Sequence, residues 1–265
     1  MGIKIHPTAY VSPGAELGDG VEVAEHAIIR DEVVLAENVY VGPSTIIEGP
    51  TSIGEGTKIL FAASLGLPPQ DLKYRGEKTE LIIGRENVIR EFVTIHRGTK
   101  GGGGKTIIGN NNLLMAYTHV AHDCKIGNNV ILANLAQLGG HVLIEDMAIL
   151  GGMVAVHQFV RIGKLAMIGA SSLVLQDVLP FALVSGNPAR VRDINRIGMR
   201  RKNYPREKID AVHKAIKLIA HSGLALPQAI QKIKREVANT DEVEHIIEFV
   251  ENKSSRGIMR GERCQ

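Results

Sequence analysis

The chain has 265 residues, of which 44% are hydrophobic and 22% are charged, and this composition is typical of a folded globular protein rather than a disordered one. The net charge is only +3, and no run of about 18 apolar residues occurs, so the sequence predicts no transmembrane segment. The two cysteines, Cys124 and Cys264, are too few for a disulfide framework and favour a reducing, cytoplasmic location.

A six-residue repeat begins near the N-terminus and continues through most of the chain. Ile, Leu or Val occupies every sixth position in three runs, which span residues 5–65, 83–95 and 108–174. A period of six fits neither a 3.6-residue helix nor a heptad, but it matches the hexapeptides of a parallel β-helix. Three hexapeptides predict one triangular coil of 18 residues with a core of aliphatic side chains, which agrees with the absence of Trp.

Two stretches interrupt the repeat and predict loops that leave the β-helix. They cover residues 66–82 and 96–107, and the second contains four consecutive glycines at residues 101–104. Loops that leave a regular solenoid tend to carry function. We therefore predict a mainly β domain over residues 1–189, with functional loops near 66–82 and 96–107.

Helical spacing replaces the repeat in the C-terminal part of the chain. Three apolar stripes predict three helices, which begin after Pro205, near Leu226 and after Thr240. We therefore predict an α-helical domain over residues 190–265.

The predicted helical domain is basic. It contains 17 basic and 10 acidic residues, whereas residues 1–189 contain 14 and 18. This asymmetry predicts an anionic partner. Since Tyr204 and Phe249 are the only aromatic residues of this part, a base-stacking surface is lacking and we expect no nucleic acid partner.

Histidines concentrate in the last run of the repeat. With an 18-residue coil, His122 is predicted to lie over Gly140, next to His141. His157 falls two coils after His122, one residue short of position 158. Three histidines are therefore expected to line one edge of consecutive coils. Clusters of titratable groups often mark functional sites.

One hypothesis is that His122 is a general base. Asp123 can orient its ring, and the N–H of Gly140 can serve as an oxyanion donor because no side chain obstructs it. A base beside an oxyanion donor is typical of acyl transfer. Cys124 falls at the small core position of its hexapeptide, so we interpret it as a core residue rather than a nucleophile.

A second hypothesis is that three histidines bind zinc, as in the trimeric carbonic anhydrases that are also built on hexapeptide coils. That family favours two histidines five residues apart, whereas His119 and His122 are three apart, and it lacks a large basic helical domain. We therefore favour acyl transfer and predict no metal. A purely structural coil that mediates assembly is opposed by the histidine edge and the two loops.

Seven short motifs follow one another along the chain. They are Gln-Asp-Leu-Lys-Tyr at 70–74, Ile-His-Arg-Gly-Thr at 95–99, His-Val-Ala-His-Asp-Cys at 119–124, Gly-Gly-His at 139–141, Gly-Gly-Met at 151–153, Val-His-Gln-Phe at 156–159 and Gln-Asp-Val at 176–178. Their order resembles that of the UDP-N-acetylglucosamine O-acyltransferase family, the acyl-carrier-protein-dependent first enzymes of lipid A synthesis. The resemblance covers nearly the whole chain.

The resemblance implies a left-handed parallel β-helix with a C-terminal α-helical domain, and a cytoplasmic homotrimer with active sites between subunits. It implies transfer of a 3-hydroxyacyl group from the phosphopantetheine of acyl carrier protein to the 3-position of UDP-N-acetylglucosamine, with no other cofactor. The N-acyltransferase of the same pathway is the nearest alternative. That enzyme carries an added N-terminal domain, for which a repeat that starts by Ile5 leaves no room.

The resemblance also implies roles for individual residues. His122 corresponds to the general base, Asp123 to its partner and Gly140 to the oxyanion position. The positions implied to bind substrate are Asp71, Lys73, His119, His141, His157, Gln158, Asn195 and Arg201.

Ala170 corresponds to the residue that stops the acyl chain, and it is predicted to lie one coil above Gly152. Two positions depart from the family, because Ile197 replaces a frequent Glu and Lys202 replaces an Arg. The first change weakens the expected uracil contact. The second keeps the charge but loses the bidentate geometry of a guanidinium.

Overall fold

A computed structural model describes residues 2–261, and within them the hexapeptide repeat forms a parallel β-helix. Strands one coil apart pair in parallel and in register, as Lys4 pairs with Glu22 and His119 with Gln137. The partners are 18 residues apart, so the predicted coil length is confirmed. Residues 262–265 of the predicted helical domain, including Cys264, lie outside the described residues.

Three sheets form the faces of the triangular coil. The first sheet contains β1 (Lys4–Ile5), β4 (Glu22–Val23), β7 (Tyr40–Val41), β10 (Lys58–Ile59), β13 (Val88–Ile89), β16 (Leu113–Leu114), β19 (Ile131–Leu132), β22 (Ile149–Leu150), β25 (Met167–Ile168), β27 (Ala182–Gly186) and β28 (Ala189–Ile194). The second sheet contains β2 (Tyr10–Val11), β5 (Ile28–Ile29), β8 (Ile46–Ile47), β11 (Ser64–Leu67), β14 (Thr94–His96), β17 (His119–Val120), β20 (Gln137–Leu138), β23 (Ala155–Val156) and β26 (Leu173–Val174). The third sheet contains β3 (Glu16–Leu17), β6 (Val33–Leu35), β9 (Thr51–Ile53), β12 (Glu80–Ile83), β15 (Lys105–Ile108), β18 (Lys125–Ile126), β21 (Leu143–Ile144) and β24 (Arg161–Ile162).

The core is a stack of the repeated aliphatic residues. Ile29, Leu65, Ile95, Val120 and Leu150, for example, are fully buried. Each strand is so short that it buries one large side chain, and the next such side chain comes from the following face. Burial of many Ile, Leu and Val side chains therefore supplies the hydrophobic stabilisation that larger aromatic residues supply elsewhere.

The turns that join the second sheet to the third define what we call the second corner of the coil. In three successive coils one residue of this turn adopts a positive φ, and these residues are Asp123, His141 and Phe159, with φ between 61° and 66°. The N–H of His141 donates to the carbonyl of His122, and that of Phe159 to the carbonyl of Gly140. The positive-φ residues therefore form one column, and the residues that precede them form a second column beside it.

Both predicted loops are present but shorter than predicted. Residues 68–79 connect β11 to β12, and residues 97–104 connect β14 to β15 with a 3₁₀ turn at Lys100–Gly102. The predicted limits included strand residues, because pairing between neighbouring coils extends β11, β12 and β15 beyond the two-residue strands of the regular repeat.

The C-terminal part begins with a β-hairpin and continues with four helices. Strand β27 pairs in parallel with β25, and β28 returns antiparallel to it. The helices are α1 (Arg196–Arg201), α2 (Arg206–Ala220), α3 (Leu226–Glu236) and α4 (Asp241–Glu251). Residue 190, the predicted start of the helical domain, thus lies within β28. In residues 2–261 no helix combines the length and apolar character that a membrane crossing requires.

A buried group of hydrogen-bonded residues joins α4 and the segment after it to the end of the β-helix. We call this group, which consists of Asp177, Arg161, Ser254 and Phe249, the clasp of Asp177. The carboxylate of Asp177 accepts hydrogen bonds from the guanidinium of Arg161 at 2.8 Å and from the hydroxyl of Ser254 at 2.5 Å. The Arg161 guanidinium also donates to the carbonyl of Phe249 and lies 4.4 Å from the centre of its ring. The Gln-Asp-Val motif at 176–178 therefore contributes to the attachment of the helices.

Candidate active site

The second corner brings His122 and Asp123 together as predicted. Nδ1 of His122 lies 2.7 Å from Oδ2 of Asp123, and the side chain of Asp123 is fully buried while that of His122 is 14% exposed. An ionised carboxylate can only accept, so Nδ1 carries the hydrogen and donates a hydrogen bond to Asp123. Nε2 of His122 is thereby left as the acceptor, which is the arrangement a general base needs.

The loop 97–104 fixes the Asp123 carboxylate. The backbone N–H of Thr99 donates to Oδ1 at 2.8 Å, and its hydroxyl donates to Oδ2 at 2.6 Å. Burial opposes ionisation of Asp123, but the hydrogen bonds from His122 and Thr99 outweigh it and hold the pKa of this carboxyl below its ordinary value. Asp123 is therefore an anion beside His122 at neutral pH.

Gly140 lies under the imidazole of His122, as the 18-residue spacing predicted. A Cβ at residue 140 would lie 2.7 Å from Cε1 of His122, so a side chain here would displace the ring. Among the described residues, the N–H of Gly140 has no hydrogen-bond acceptor. It is available to donate to a group bound next to Nε2 of His122.

His141 and Phe159 extend the site along the column above Asp123. Their rings stack at 4.4 Å, and the ring of His141 meets that of His122 edge-on at 5.2 Å. Burial lowers the pKa of His141, an effect that the charges of Asp123 and Asp71 partly offset.

A second histidine pair lies on the second sheet beside this corner. Nδ1 of His119 is 2.7 Å from the hydroxyl of Thr94, and the ring of His96 meets that of His119 edge-on at 5.0 Å. Burial, with a smaller effect from the charges of His119 and His122, lowers the pKa of His96 to about 4. Burial and the charge of His122 also lower the pKa of His119. Both side chains are therefore neutral at pH 7.

Two residues near the site, His96 and Thr99, have no role predicted from the sequence. Both belong to the Ile-His-Arg-Gly-Thr motif at 95–99, which lies just before and within the second loop. That motif was the sequence signal for both residues. The 18-residue spacing could not relate His96 to His119, or Thr99 to Asp123, because the loop interrupts the repeat.

His157 and Gln158 lie at the second corner, but His157 does not join the cluster of His122, Asp123 and His141. Its Nδ1 lies 3.1 Å from the carbonyl of Gln158. All three histidines therefore line this corner as predicted, and His122 and His141 are the two that lie near the carboxylate of Asp123 among the described residues. Lys73 is exposed at the loop 68–79, where its N–H donates to the carboxylate of Asp71.

The residues of the helical part that were predicted to face the nucleotide differ in their exposure. Arg201 and Lys202 are exposed at the end of α1, and Ile197 is exposed on its first turn. Asn195 is buried, and its amide donates to the carbonyl of Leu165 and accepts from the N–H of Gly198. The amide oxygen of Asn195 thus caps α1 and its amide nitrogen binds a turn of the β-helix, so a direct nucleotide contact there stays a prediction.

Ala170 and Gly152 lie at a different corner from His122. They belong to the turns that join the first sheet to the second, which we call the first corner, and the N–H of Ser171 donates to the carbonyl of Gly152 across adjacent coils. Within one protomer the second sheet separates this position from His122. An acyl chain that contacts both must therefore cross that sheet or lie between two protomers.

Known proteins resemble this chain over nearly its full length. The acyl-[acyl-carrier-protein]–UDP-N-acetylglucosamine O-acyltransferase of Thermodesulfovibrio yellowstonii is 47% identical over 257 residues, which are 97% of this chain and 99% of the relative. The corresponding enzyme of Halorhodospira halophila is 45% identical with the same coverage. The chain belongs to the UDP-N-acetylglucosamine O-acyltransferase family.

Solved structures and family descriptions agree with this membership. The acyltransferase of Bacteroides fragilis has a TM-score of 0.94 at 41% identity and covers 97% of this chain and 100% of its own. That of Campylobacter jejuni has a TM-score of 0.92 at 36% identity, with 98% and 100% covered. The family described as Udp N-acetylglucosamine O-acyltransferase, Domain 2, matches residues 177–259, and the bacterial transferase hexapeptide family matches residues 105–140.

Membership in the UDP-N-acetylglucosamine O-acyltransferase family confirms the resemblance and the fold class predicted from the sequence, a left-handed parallel β-helix with a C-terminal helical part. The enzyme class is confirmed as well. The O-acyltransferase relatives are matched along almost their whole length, which favours them over the N-acyltransferase alternative.

Proposed function

We propose that this chain transfers a 3-hydroxyacyl group from acyl carrier protein to the 3-hydroxyl of UDP-N-acetylglucosamine, the first step of lipid A biosynthesis. The observation that carries the proposal is the His122–Asp123 pair above Gly140 in a member of this family. The cytoplasmic location expected from the sequence belongs to the same proposal.

The geometry supplies each step of a direct transfer. Nε2 of His122 accepts the proton of the sugar 3-hydroxyl as its oxygen attacks the thioester carbonyl, and Asp123 stabilises the imidazolium that forms. The N–H of Gly140 donates to the oxyanion. His122 then returns the proton to the departing phosphopantetheine thiolate, so no protein nucleophile is required. Burial raises the pKa of the Cys124 thiol to about 12, which is consistent with its interpretation as a core residue.

The donor set at this corner favours proton transfer over a metal site. His122, Asp123 and His141 place one ligand atom each within 4.8 Å of one another. Both oxygens of Asp123, however, already accept hydrogen bonds from Thr99 or His122. The carboxylate is therefore committed to orienting the imidazole, and the zinc alternative is the weaker one.

Apolar side chains on the outside of the β-helix support the predicted homotrimer. Phe92, Tyr117, Leu135 and Met153 form a ridge at the first corner, where each is 39–59% exposed in one protomer although each adopts a positive φ. Such a φ is unfavourable for bulky side chains, so the ridge carries a conformational free-energy cost that an interface with another protomer would offset. The outward side chains of the neighbouring first-sheet strands are also aliphatic, and they are Val88, Leu113, Ile131, Ile149 and Met167.

A trimer also reconciles the two corners. If the first corner of one protomer packs near the second corner of its neighbour, Ala170 and His122 from different protomers line one groove. An acyl chain in that groove contacts the base at one end and the stop at the other.

A transfer assay tests the proposed function directly. The purified protein is incubated with a 3-hydroxyacyl carrier protein and UDP-N-acetylglucosamine, and the acylated nucleotide is detected by mass. A UDP-sugar with a 3-amine is tested in parallel. Transfer to neither acceptor contradicts the proposal, and transfer to the amine alone assigns the chain to the N-linked reaction.

The basic helical part predicts salt-dependent binding of acyl carrier protein. Carrier proteins of this kind are acidic, so screening should raise the KM for the carrier between low and physiological salt. Exposed Lys214 and Lys217 on α2 test the location, because their replacement by Gln should reduce the salt dependence. Gln at Lys4 and Lys58, exposed on the β-helix, is the matched control. A KM that does not change with salt would indicate mainly apolar docking.

The stop at Ala170 predicts the preferred acyl length. Ala adds one methyl relative to Gly, so the groove should end slightly earlier than in a Gly-stopped relative. Ala170→Gly should therefore favour longer donors and Ala170→Met shorter ones, with about 10- to 200-fold discrimination per methylene. Values of kcat/KM over a donor length series measure this. An unchanged preference in both variants would place the stop elsewhere.

A further inference from the structure

Thr99 touches the catalytic pair but no atom that reacts. From the proposed function, we infer that Thr99 is a positioning residue for His122, and that it acts through the carboxylate of Asp123. Its backbone N–H and its hydroxyl donate to the two different oxygens of that carboxylate, at 2.8 and 2.6 Å. Two donors on two oxygens fix the plane of the carboxylate, and this plane determines the direction of the hydrogen bond to Nδ1 of His122.

The surrounding loop is built around this contact. Thr99 is only 7% exposed, and its hydroxyl oxygen accepts the N–H of Gly102, which fixes its orientation. A Cβ at residue 102 would lie within 2.3 Å of all three carboxylate atoms of Asp123, so only glycine lets the loop backbone approach so closely. The N–H of Asp123 itself donates to the hydroxyl of Thr106. The loop 97–104 and Thr106 of β15 thus enclose Asp123.

The Thr99 hydroxyl should affect both the rate and its pH dependence. A hydrogen bond donated to a carboxylate stabilises the unprotonated form of the pair, in which His122 can accept a proton. Loss of this donor increases the proton affinity of the pair as a whole. The acid limb of the profile of kcat/KM against pH then moves to higher pH, and the plateau falls because the imidazole loses its orientation.

Other titratable groups face the pair and stay in place in the Thr99 variants. Nε2 of His141 lies 3.7 Å from Oδ2 of Asp123. A charge on His122 lowers the pKa of His96 and of His119, and the charge of Asp71 acts on His141. A change confined to the Thr99 variants is therefore caused by the lost hydroxyl.

Thr99→Val removes the hydroxyl at nearly constant volume. The kcat for acyl transfer should fall about 10- to 100-fold, the value of a hydrogen bond to a charged group, and the acid limb should move to higher pH. Thr99→Ser keeps the donor and should restore both the rate and the limb. Thr79→Val is the matched control, since Thr79 is a buried threonine whose hydroxyl has no hydrogen-bond partner within residues 2–261.

The behaviour of Thr99→Val decides between this inference and its alternatives. An unchanged rate and an unmoved acid limb in Thr99→Val overturn the positioning role, as does a lower rate with an unmoved limb. If Thr99→Val does not fold, the comparison of Thr99→Ala with Thr99→Ser provides the same test. Failure of the parent protein to transfer the acyl group to either acceptor would instead contradict the proposed function and would be recognised separately.

Discussion

Replacement of His122 by Ala should lower kcat for acyl transfer by about 10²- to 10⁴-fold, the usual contribution of a positioned general base. The free Nε2 of His122 faces the space above Gly140. Among residues 2–261, His122 is the one histidine whose ring is within hydrogen-bond distance of the Asp123 carboxylate. The KM values for both substrates should change little, because the proton is transferred only during reaction.

The fold should survive this substitution. His122 lies at a corner, outside the stack of aliphatic side chains, so the thermal midpoint and the oligomeric state should be those of the parent protein. His26→Asn is a matched control, since His26 is an exposed corner histidine with positive φ on a distant coil, and Asn tolerates that conformation. Near-normal turnover in purified His122→Ala would exclude His122 as the base.

The β-helix could be predicted from the sequence because each hexapeptide repeats the same physical requirement. Every coil needs one aliphatic residue per face at a fixed spacing, so position in the sequence maps directly to position in the core, as at Ile29 and Leu150. The same register predicts His122 over Gly140, where the structure has it.

Features outside the repeat could not be predicted in this way. Thr99 reaches Asp123 through a loop whose path no periodicity describes, and the clasp of Asp177 joins residues from the β-helix and the C-terminal segment. For Asn195 the resemblance implied a nucleotide contact, which stays a prediction, whereas its contacts with Gly198 and Leu165 could not be read from the sequence. The proposed groove between protomers would depend on contacts that the spacing of one chain does not encode.

The clasp of Asp177 should make a large contribution to stability. Its side chain is fully buried, and the side chain of its partner Arg161 is 17% exposed. Asp177→Ala leaves a largely buried guanidinium without its counter-charge and removes the acceptor of the Ser254 hydroxyl. We expect the free energy of unfolding to fall by about 3–5 kcal/mol, which is the usual cost of breaking one side of a buried ion pair.

Urea unfolding at a fixed protomer concentration measures this loss, because association would otherwise shift the midpoint. The double variant Asp177→Ala with Arg161→Met should recover part of the stability, since no buried charge then lacks a partner. Glu22→Gln is the matched control, because its ion pair with Lys4 is exposed to solvent and such pairs contribute little. If Asp177→Ala and Glu22→Gln have equal effects, α4 and the following segment are held mainly by the apolar contacts of Phe249 and its neighbours, and the buried ion pair is not what attaches them to the β-helix.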